Sequence, residues 1–340
     1  MSPFNPTQLL EMLEKAREQN FCLNRIWHVC SQIKDWPSKQ LIIEEILRAI
    51  VSKSALKHED HSACSVDFCE FSIRNFTAVQ QYHEPMSYEE GDQGKIAEDH
   101  KQQGACITVR GVFKETKLIQ AVRSDKLTAW NLDGWDILES PRPFMAISHV
   151  WSDGTGTGSW PSNQVNVCLY NYFKRIAKQF QCEGIWWDAI CIPQDKTVRS
   201  KAISIMDRNY EHARVTLVHD RFLRNLSFEG PERACLAIVL SSWFTRGWTA
   251  LELTRSRKVK IIFKDSIKDL DEEILYGNES FGAKIIKDLR NDRFTKIGAL
   301  LAALNTRYTS WLKDRATIAE LSVGVLQVSF SYLKQQQKTA

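Results

Sequence analysis

The sequence predicts an α/β protein with a mostly parallel sheet, helices on both faces, and helical extensions at both ends. Between residues 141 and 264, four short apolar runs alternate with segments whose apolar residues lie three or four apart. Strands that alternate with helices predict βαβ units, and therefore a parallel sheet covered on both faces. Residues Gly184–Ile192 are almost wholly apolar apart from Asp188, as expected for a buried central strand.

These alternating elements define the central region, residues 141–264. The predicted strands are Phe144–Val150, Ile185–Ile192, Val215–His219 and Val259–Phe263. The predicted helices between them are Val167–Phe180, Ser200–Ala213 and Ala234–Arg255.

Three further regions flank this core. Residues 1–60 form a predicted helical region, because Leu9, Leu10, Leu13 and Ala16 share one helical face. Residues 61–140 are irregular and contain several cysteines and histidines, and residues 265–340 are again predicted to be helical.

The composition of the chain argues against a nucleic-acid-binding or membrane-associated protein. The charge of 45 − 41 = +4 is mild and spread along the chain, so we expect no nucleic-acid partner. No apolar run approaches the roughly 20 residues that span a bilayer, so we expect no membrane association. Nine cysteines without a secretory signal favour a reducing compartment, and we expect the protein in the cytoplasm.

Polar residues stand where the predicted strands end, which is where parallel sheets bind ligands. The first run continues into Ser148–Asp153 and the third into Asp220, while Asp188 lies inside the second. A carboxylate at Asp188 either faces a ligand cleft or accepts backbone N–H groups in a turn. The glycine-rich loop Asp153–Gly158 is either a phosphate-binding loop or a plain turn.

A fourth polar position lies on the last helix of the core. Trp248 and Glu252 are four residues apart and share one helical face. Glu252 lies among apolar neighbours, so it is either a site residue or paired with Arg246 or Arg255. For Trp151 and Trp248, the alternative to a ligand site is packing in the core.

Three of these segments resemble the motifs of the fungal heterokaryon incompatibility (HET) domain, in the order that the family has them. They are Ala146–Asp153, Ile185–Gln194 and Arg246–Leu253. The segment Arg307–Trp311, followed by Asp314–Ala316, is similar to one that often follows them. His149, Ser152 and Leu251 depart from the commonest residues, and the resemblance covers roughly residues 141–325.

The resemblance implies a flavodoxin-like sheet similar to that of TIR domains, many of which cleave NAD at its nicotinamide–ribose bond. It places the catalytic role on Glu252 and makes NAD the candidate substrate. Ser148, Trp151, Asp153, Asp188 and Trp248 are then the candidate nucleotide-contacting residues. The implied role is an effector of fungal incompatibility or immunity, with protein partners that include further copies of the chain. The alternative is a non-catalytic signalling and assembly module in which Glu252 is structural.

The region 61–140 holds a separate candidate metal site. Cys64, Cys69, His83 and Cys106 form the preferred set for a tetrahedral Zn²⁺, with His61 as a substitute. A metal would stabilise this region, which has few apolar residues for a core. The alternative is a set of ordinary buried cysteines and surface histidines.

Overall fold

A six-stranded, mostly parallel sheet forms the centre of the molecule. The computed structural model describes residues 6–18, 21–31, 61, 63–69, 79, 81–82, 112–156, 165–291, 304, 307–309 and 312–323. The strands are β1 (Trp130–Asn131), β2 (Phe144–His149), β3 (Gly184–Trp186), β4 (Val215–His219), β5 (Val259–Ile262) and β6 (Ile267–Asp269). Their spatial order is β1-β3-β2-β4-β5-β6.

The four central strands are parallel, and the two edge strands run antiparallel to their neighbours. Taken in chain order, the parallel strands lie in the order 2-1-3-4, which is the flavodoxin-like arrangement. The register pairs His149 with His219, so two histidines end neighbouring strands at the same level.

Helices precede, connect and follow these strands. They are α1 (Pro6–Glu18), α2 (Leu23–Ser31), α3 (Glu115–Arg123), α4 (Val167–Gln179), α5 (Asp188–Cys191), α6 (Lys196–Ser204), α7 (Met206–His212), α8 (Arg221–Arg224), α9 (Pro231–Leu240), α10 (Gly247–Arg255), α11 (Phe281–Asn291) and α12 (Leu312–Val323). A 3-10 turn spans Trp151–Asp153 and a π-helix spans Leu270–Leu275.

Two adjacent tryptophans show that helices cover both faces of the sheet. Successive side chains of an extended segment point to opposite faces. Trp186 packs edge-on against Tyr210 of α7, whereas Trp187 packs edge-on against Phe173 of α4. All four aromatic rings are buried, so α4 and α7 enclose the sheet from opposite sides. The predicted fold class is confirmed.

The second predicted strand is shorter than the sequence indicates. It ends at Trp186, and Asp188 begins helix α5 instead of lying within a strand. The backbone N–H of Trp187 donates to Cys191 Sγ at 3.3 Å, while the Cys191 N–H donates back to the Trp187 carbonyl at 2.9 Å. These local bonds replace the next ladder bonds and turn the chain at Asp188.

Two predicted helices are each divided in two. The segment predicted as 200–213 contains the second half of α6 and all of α7, and that predicted as 234–255 contains most of α9 and all of α10. The sheet also reaches beyond the predicted core, because β1 and β6 lie at its edges.

Helices form most of the described parts of the terminal regions, but residues 265–340 were predicted to be helical throughout and also contain strand β6, which pairs with β5 at the sheet edge. Helices α1 and α2 lie in the N-terminal region, and α11 and α12 lie in the C-terminal one. The parts of these two regions that span 32–60, 292–303 and 324–340 lie outside the described residues. Within the described part of the chain, no helix has the length and apolar character needed to cross a bilayer.

Candidate active site

A cavity of about 140 Å³ opens beside the carboxyl ends of β2 and β3, against helices α6, α7 and α10. Its wall combines aromatic rings, carboxylates, arginines and aliphatic side chains. The lining residues are His149, Val150, Trp151, Asp188, Ile192, Arg199, Ile203, Met206, Arg246, Trp248, Thr249, Glu252 and Asp314. Residues from all three motif segments therefore meet in one cavity.

Asp188 links two of these segments. Its Oδ1 lies 2.7 Å from His149 Nε2, and its Oδ2 accepts a hydrogen bond from the Trp151 indole N–H at 2.8 Å. Burial by itself lowers the pKa of His149, but the adjacent Asp188 carboxylate outweighs it and raises this pKa to about 9. Burial likewise opposes ionisation of Asp188, yet His149 and Trp151 hold its pKa below the usual value. The two groups therefore form an ion pair at neutral pH.

Besides Asp188, the ring of His149 is in contact with Trp187 and with Gly156. The Trp187 indole nitrogen lies 3.1 Å from Nε2, but a protonated Nε2 donates to Asp188 and cannot accept from Trp187 as well. Nδ1 is buried and has no hydrogen-bond partner among the described residues. A Cβ built on Gly156 would overlap the ring, so glycine is needed there for the loop to lie against His149.

Glu252 lies on α10 and is buried, with 7% of its surface exposed. Its Oε2 accepts a short hydrogen bond from Ser148 Oγ, which in turn accepts from the Trp243 indole N–H at 2.6 Å. Burial raises the pKa of Glu252 to about 7, although the Ser148 hydroxyl and the charge of His149 act in the opposite direction. This carboxylate therefore changes protonation state near neutral pH.

The far wall of the cavity comes from the start of α10 and from the C-terminal region. The Trp248 indole N–H donates to Asp314 Oδ2 at 3.0 Å. Burial lowers the pKa of Arg246, and Asp314 and Glu252 favour its charged form. The cavity thus places two arginines, Arg199 and Arg246, near three carboxylates.

The structure places the predicted site residues in two groups. Trp151, Asp188, Trp248 and Glu252 line the cavity, and Ser148 lies directly behind it as a hydrogen-bond donor to Glu252. Asp153 does not line it, because its carboxylate accepts the backbone N–H groups of Thr155 and Arg221 at 2.8 and 3.1 Å.

Several lining residues were not predicted as site residues from the sequence. Arg199 lies on a helix without a motif, and Asp314 lies far along the chain. The sequence offered one indication for Asp314, because this residue belongs to the segment that often follows the third motif in HET proteins. Of the two arginines proposed as partners of Glu252, Arg255 instead places its Nε 3.8 Å from Asp207 Oδ2. Arg246 lines the same cavity as Glu252, whose charge favours the charged form of this arginine.

A group of four potential metal ligands lies apart from this cavity. The ligand atoms of Cys22, His61, Cys64 and Cys69 all lie within 4.8 Å of one another, and all four residues are buried. His61 Nδ1 lies 3.4 Å from Cys64 Sγ. Three thiols and one imidazole at this spacing have the donor set of a tetrahedral metal site.

This group differs in part from the predicted metal set. Cys64 and Cys69 belong to both, and His61 occupies the position of the substitute ligand. His83 and Cys106 lie outside the described residues. Cys22 was not predicted, because it lies about 40 positions away on the approach to α2. No disulfide joins any of the eight cysteines in the described ranges.

The fold and cavity together define a flavodoxin-like α/β protein with a site at the strand ends that combines carboxylates, arginines and tryptophans. Residues 144–222 match the family model described as heterokaryon incompatibility protein (HET). The match supports a HET domain in this part of the chain, as the motifs of the sequence indicate, and such a domain suggests involvement in heterokaryon incompatibility. No curated protein and no solved structure matches the chain.

Proposed function

We propose that this protein is an effector of fungal incompatibility or immunity that hydrolyses NAD at the Glu252 cavity. The observation that carries the proposal is the convergence of Glu252, Asp188, Trp151 and Trp248 on one cavity. Three distant stretches of chain supply these side chains, and their charges and rings suit a ribose joined to a flat cationic ring.

The reaction needs one stabilising carboxylate. Breaking the bond between ribose C1′ and the pyridinium nitrogen sends the bonding electron pair to nitrogen, which leaves neutral nicotinamide and an oxocarbenium-like ribose. Ionised Glu252 stabilises this developing positive charge. Water then adds to C1′ and releases one proton to the solvent, which yields ADP-ribose. Nicotinamide needs no protonation to leave, so a second acid is not required.

The volume of the cavity matches a ligand group that consists of a single ring. An engineered cavity of about 150 Å³ binds benzene in another protein, and this cavity measures about 140 Å³. The nicotinamide ring has this size, and Trp151 and Trp248 provide apolar surface for it. The rest of the dinucleotide would lie outside the cavity.

Nicotinamide release from NAD by the purified protein tests this proposal, with the protein concentrated to favour the assembly of several copies that the resemblance implies. We expect release from the wild type and a loss of at least about 100-fold in Glu252→Gln. Activity should also rise as pH increases through about 7, since the ionised carboxylate is the active form.

Glu232→Gln is the matched control, because it makes the same chemical change at an exposed position of α9. Full activity in Glu252→Gln would remove the catalytic role of this residue. No release from the wild type under any assembly condition would favour the non-catalytic signalling and assembly module instead.

We also propose that the Cys22–His61–Cys64–Cys69 group holds a structural Zn²⁺. The support is the mutual distance of four buried N and S donors. Elemental analysis of protein purified without added metal should give one Zn per chain. Cys22→Ser should weaken Zn²⁺ binding at least about tenfold, whereas Cys182→Ser, at a buried cysteine outside the group, should not. Well-folded protein without metal would overturn this proposal.

A further inference from the structure

We infer that the metal group holds the wall of the Glu252 cavity in place through two positioning residues, Asn24 and Tyr308. This inference rests on the Zn²⁺ proposed above and does not depend on NAD cleavage. It follows from a continuous set of hydrogen bonds that joins residues 64–69, here called the metal loop, to the first turn of α10.

The first step joins the metal loop to helix α2. Val66 lies between the ligands Cys64 and Cys69, and its carbonyl accepts a hydrogen bond from Asn24 Nδ2 at 2.7 Å. Asn24 itself follows the ligand Cys22 by two residues and is fully buried. A metal that joins Cys22 to the loop therefore fixes both partners of this bond.

The second step joins α2 to the C-terminal region. Tyr308 donates its hydroxyl to Asn24 Oδ1 at 2.8 Å. The same hydroxyl lies 2.5 Å from His28 Nε2, and the two rings meet edge-on. Asn24 and His28 are four residues apart, so they form one face of α2 that receives the tyrosine.

The third step joins Tyr308 to the cavity wall. Its backbone N–H donates to the Thr245 carbonyl and its carbonyl accepts the Gly247 N–H, both at 2.8 Å. Tyr308 thereby forms a parallel bridge with Arg246, which lines the cavity. Gly247 is the first residue of the helix that carries Trp248 and Glu252.

The contact at Gly247 is also too tight for a side chain. A Cβ there would lie 2.6 Å from Thr309 Cγ2 and 3.2 Å from Ile318 Cδ1. Close packing of this kind transmits a displacement of the C-terminal segment to the start of α10. Loss of the metal should therefore loosen the turn that presents Arg246 and Trp248.

Hydrogen exchange of the amides in 244–253, measured with and without a Zn²⁺ chelator, tests the inference. In the wild type we expect metal removal to speed exchange at the start of α10 by about fivefold or more, the effect of losing one buried hydrogen bond. In Tyr308→Phe, exchange should already be faster with metal bound, and chelation should add little. Tyr276→Phe, at a tyrosine that is 85% exposed, is the matched control and should behave as the wild type.

Strand β4 serves as the internal reference. Chelation that speeds exchange equally in β4 and in α10 would overturn the inference, since the metal would then support the whole fold. Equal effects of chelation in the wild type and Tyr308→Phe would also overturn it. Wild-type protein that is well folded without bound metal would overturn the inference as well.

A second measurement covers the case in which the chelated protein does not stay folded. Coupling is reciprocal, so Tyr308→Phe should weaken Zn²⁺ binding by about the same factor by which metal protects the wall. A competition titration with Zn²⁺ alone measures this, and unchanged affinity in Tyr308→Phe would contradict the coupling. Neither readout involves NAD, so an inactive cavity and an uncoupled metal site are separate results.

Discussion

Two histidines at paired positions of neighbouring strands have opposite electrostatic environments. His149 ends β2 and His219 ends β4, and both are buried. Asp188 raises the pKa of His149 to about 9 despite burial. Burial lowers the pKa of His219 far below its usual value, and the nearby charges of Arg224 and His149 lower it further.

The groups around His219 favour the uncharged form of its imidazole ring. Thr155 Oγ1 lies 2.8 Å from Nδ1, and Arg224 lies 3.4 Å from Nε2. Phe173 packs edge-on against the imidazole, with ring centroids 5.3 Å apart. The carboxylate of the next residue, Asp220, accepts the backbone N–H groups of Leu223 and Trp243 instead.

This difference shows that position at the end of a strand does not by itself place a polar side chain in the cavity. The β2 and β3 ends hold charged side chains against a cavity, whereas the β4 end uses its polar residues to fix backbone turns. The comparison can be tested by changing the partners of each histidine and of Glu252.

Removal of the Asp188 charge should give the largest effect on stability. Asp188→Asn leaves His149 without its counterion in a buried position, which typically costs about 3–5 kcal/mol. The pKa of His149 is raised from 6.5, so the pair stabilises the protein fully below pH 6.5, and this contribution is lost as pH rises through about 9. Urea unfolding at pH 6 and pH 10 should therefore show a large loss that shrinks at the higher pH.

Asp133→Asn is the control for this change, because that carboxylate pairs with Lys174 at the surface. We expect it to change the free energy of unfolding by less than about 1 kcal/mol. A loss in Asp188→Asn that is equally small would show that the ion pair contributes nothing to the site.

Neutralisation of Glu252 should increase the free energy of unfolding, whereas neutralisation of Asp188 should decrease it. Its pKa rises from 4.5 to about 7 on folding, so its stabilising protonated state is fully present below pH 4.5 and is lost as pH rises through 7. Glu252→Gln should therefore unfold at higher temperature than the wild type at pH 8, with a gain of up to about 3 kcal/mol. The gain should vanish at pH 4, which differential scanning calorimetry at both pH values can check.

This result would separate a functional carboxylate from a structural one. A group that destabilises the fold in its working state is expected at an active site, where stability is traded for function. A Glu252→Gln variant that is less stable at pH 8 would favour the structural role.

The smallest effect is expected at the β4 end. Thr155→Val keeps the shape of the side chain and removes the hydrogen bond to His219, which should cost about 1 kcal/mol. Because His219 stays neutral, this loss should be the same at pH 6 and pH 9 in urea unfolding. A loss that grew on acidification would show that His219 titrates like a charged partner, and the contrast with His149 would fail.

Sequence patterns predicted much of the fold but misplaced its boundaries. Alternation of apolar runs and helical periods gave the four parallel strands, because that periodicity follows directly from which side chains a covered sheet buries. The turn at Asp188 was missed, since Gly184–Ile192 reads as one apolar run while its end is set by bonds between Trp187 and Cys191. The edge strands β1 and β6 are too short to give a pattern.

The residues of the candidate site were likewise predicted in part from the sequence. Asp188 and Glu252 could be selected from the sequence, because a carboxylate beside a strand end or on an apolar helix face is unusual. Trp151 and Trp248 were candidates because of the resemblance to the HET motifs. Asp153 shares that pattern, yet its carboxylate binds backbone N–H groups.

The sequence by itself determined the order of helices and strands and the motif segments, because these follow from local periodicity and residue type. The tertiary structure alone decided which residues meet. Arg199, Asp314 and Cys22 come from separate stretches of the chain, and no local pattern encodes the packing that brings Asp314 to Trp248 or Cys22 to Cys64. The charge states of His149 and His219 were decided there as well, since burial and neighbouring charges set them.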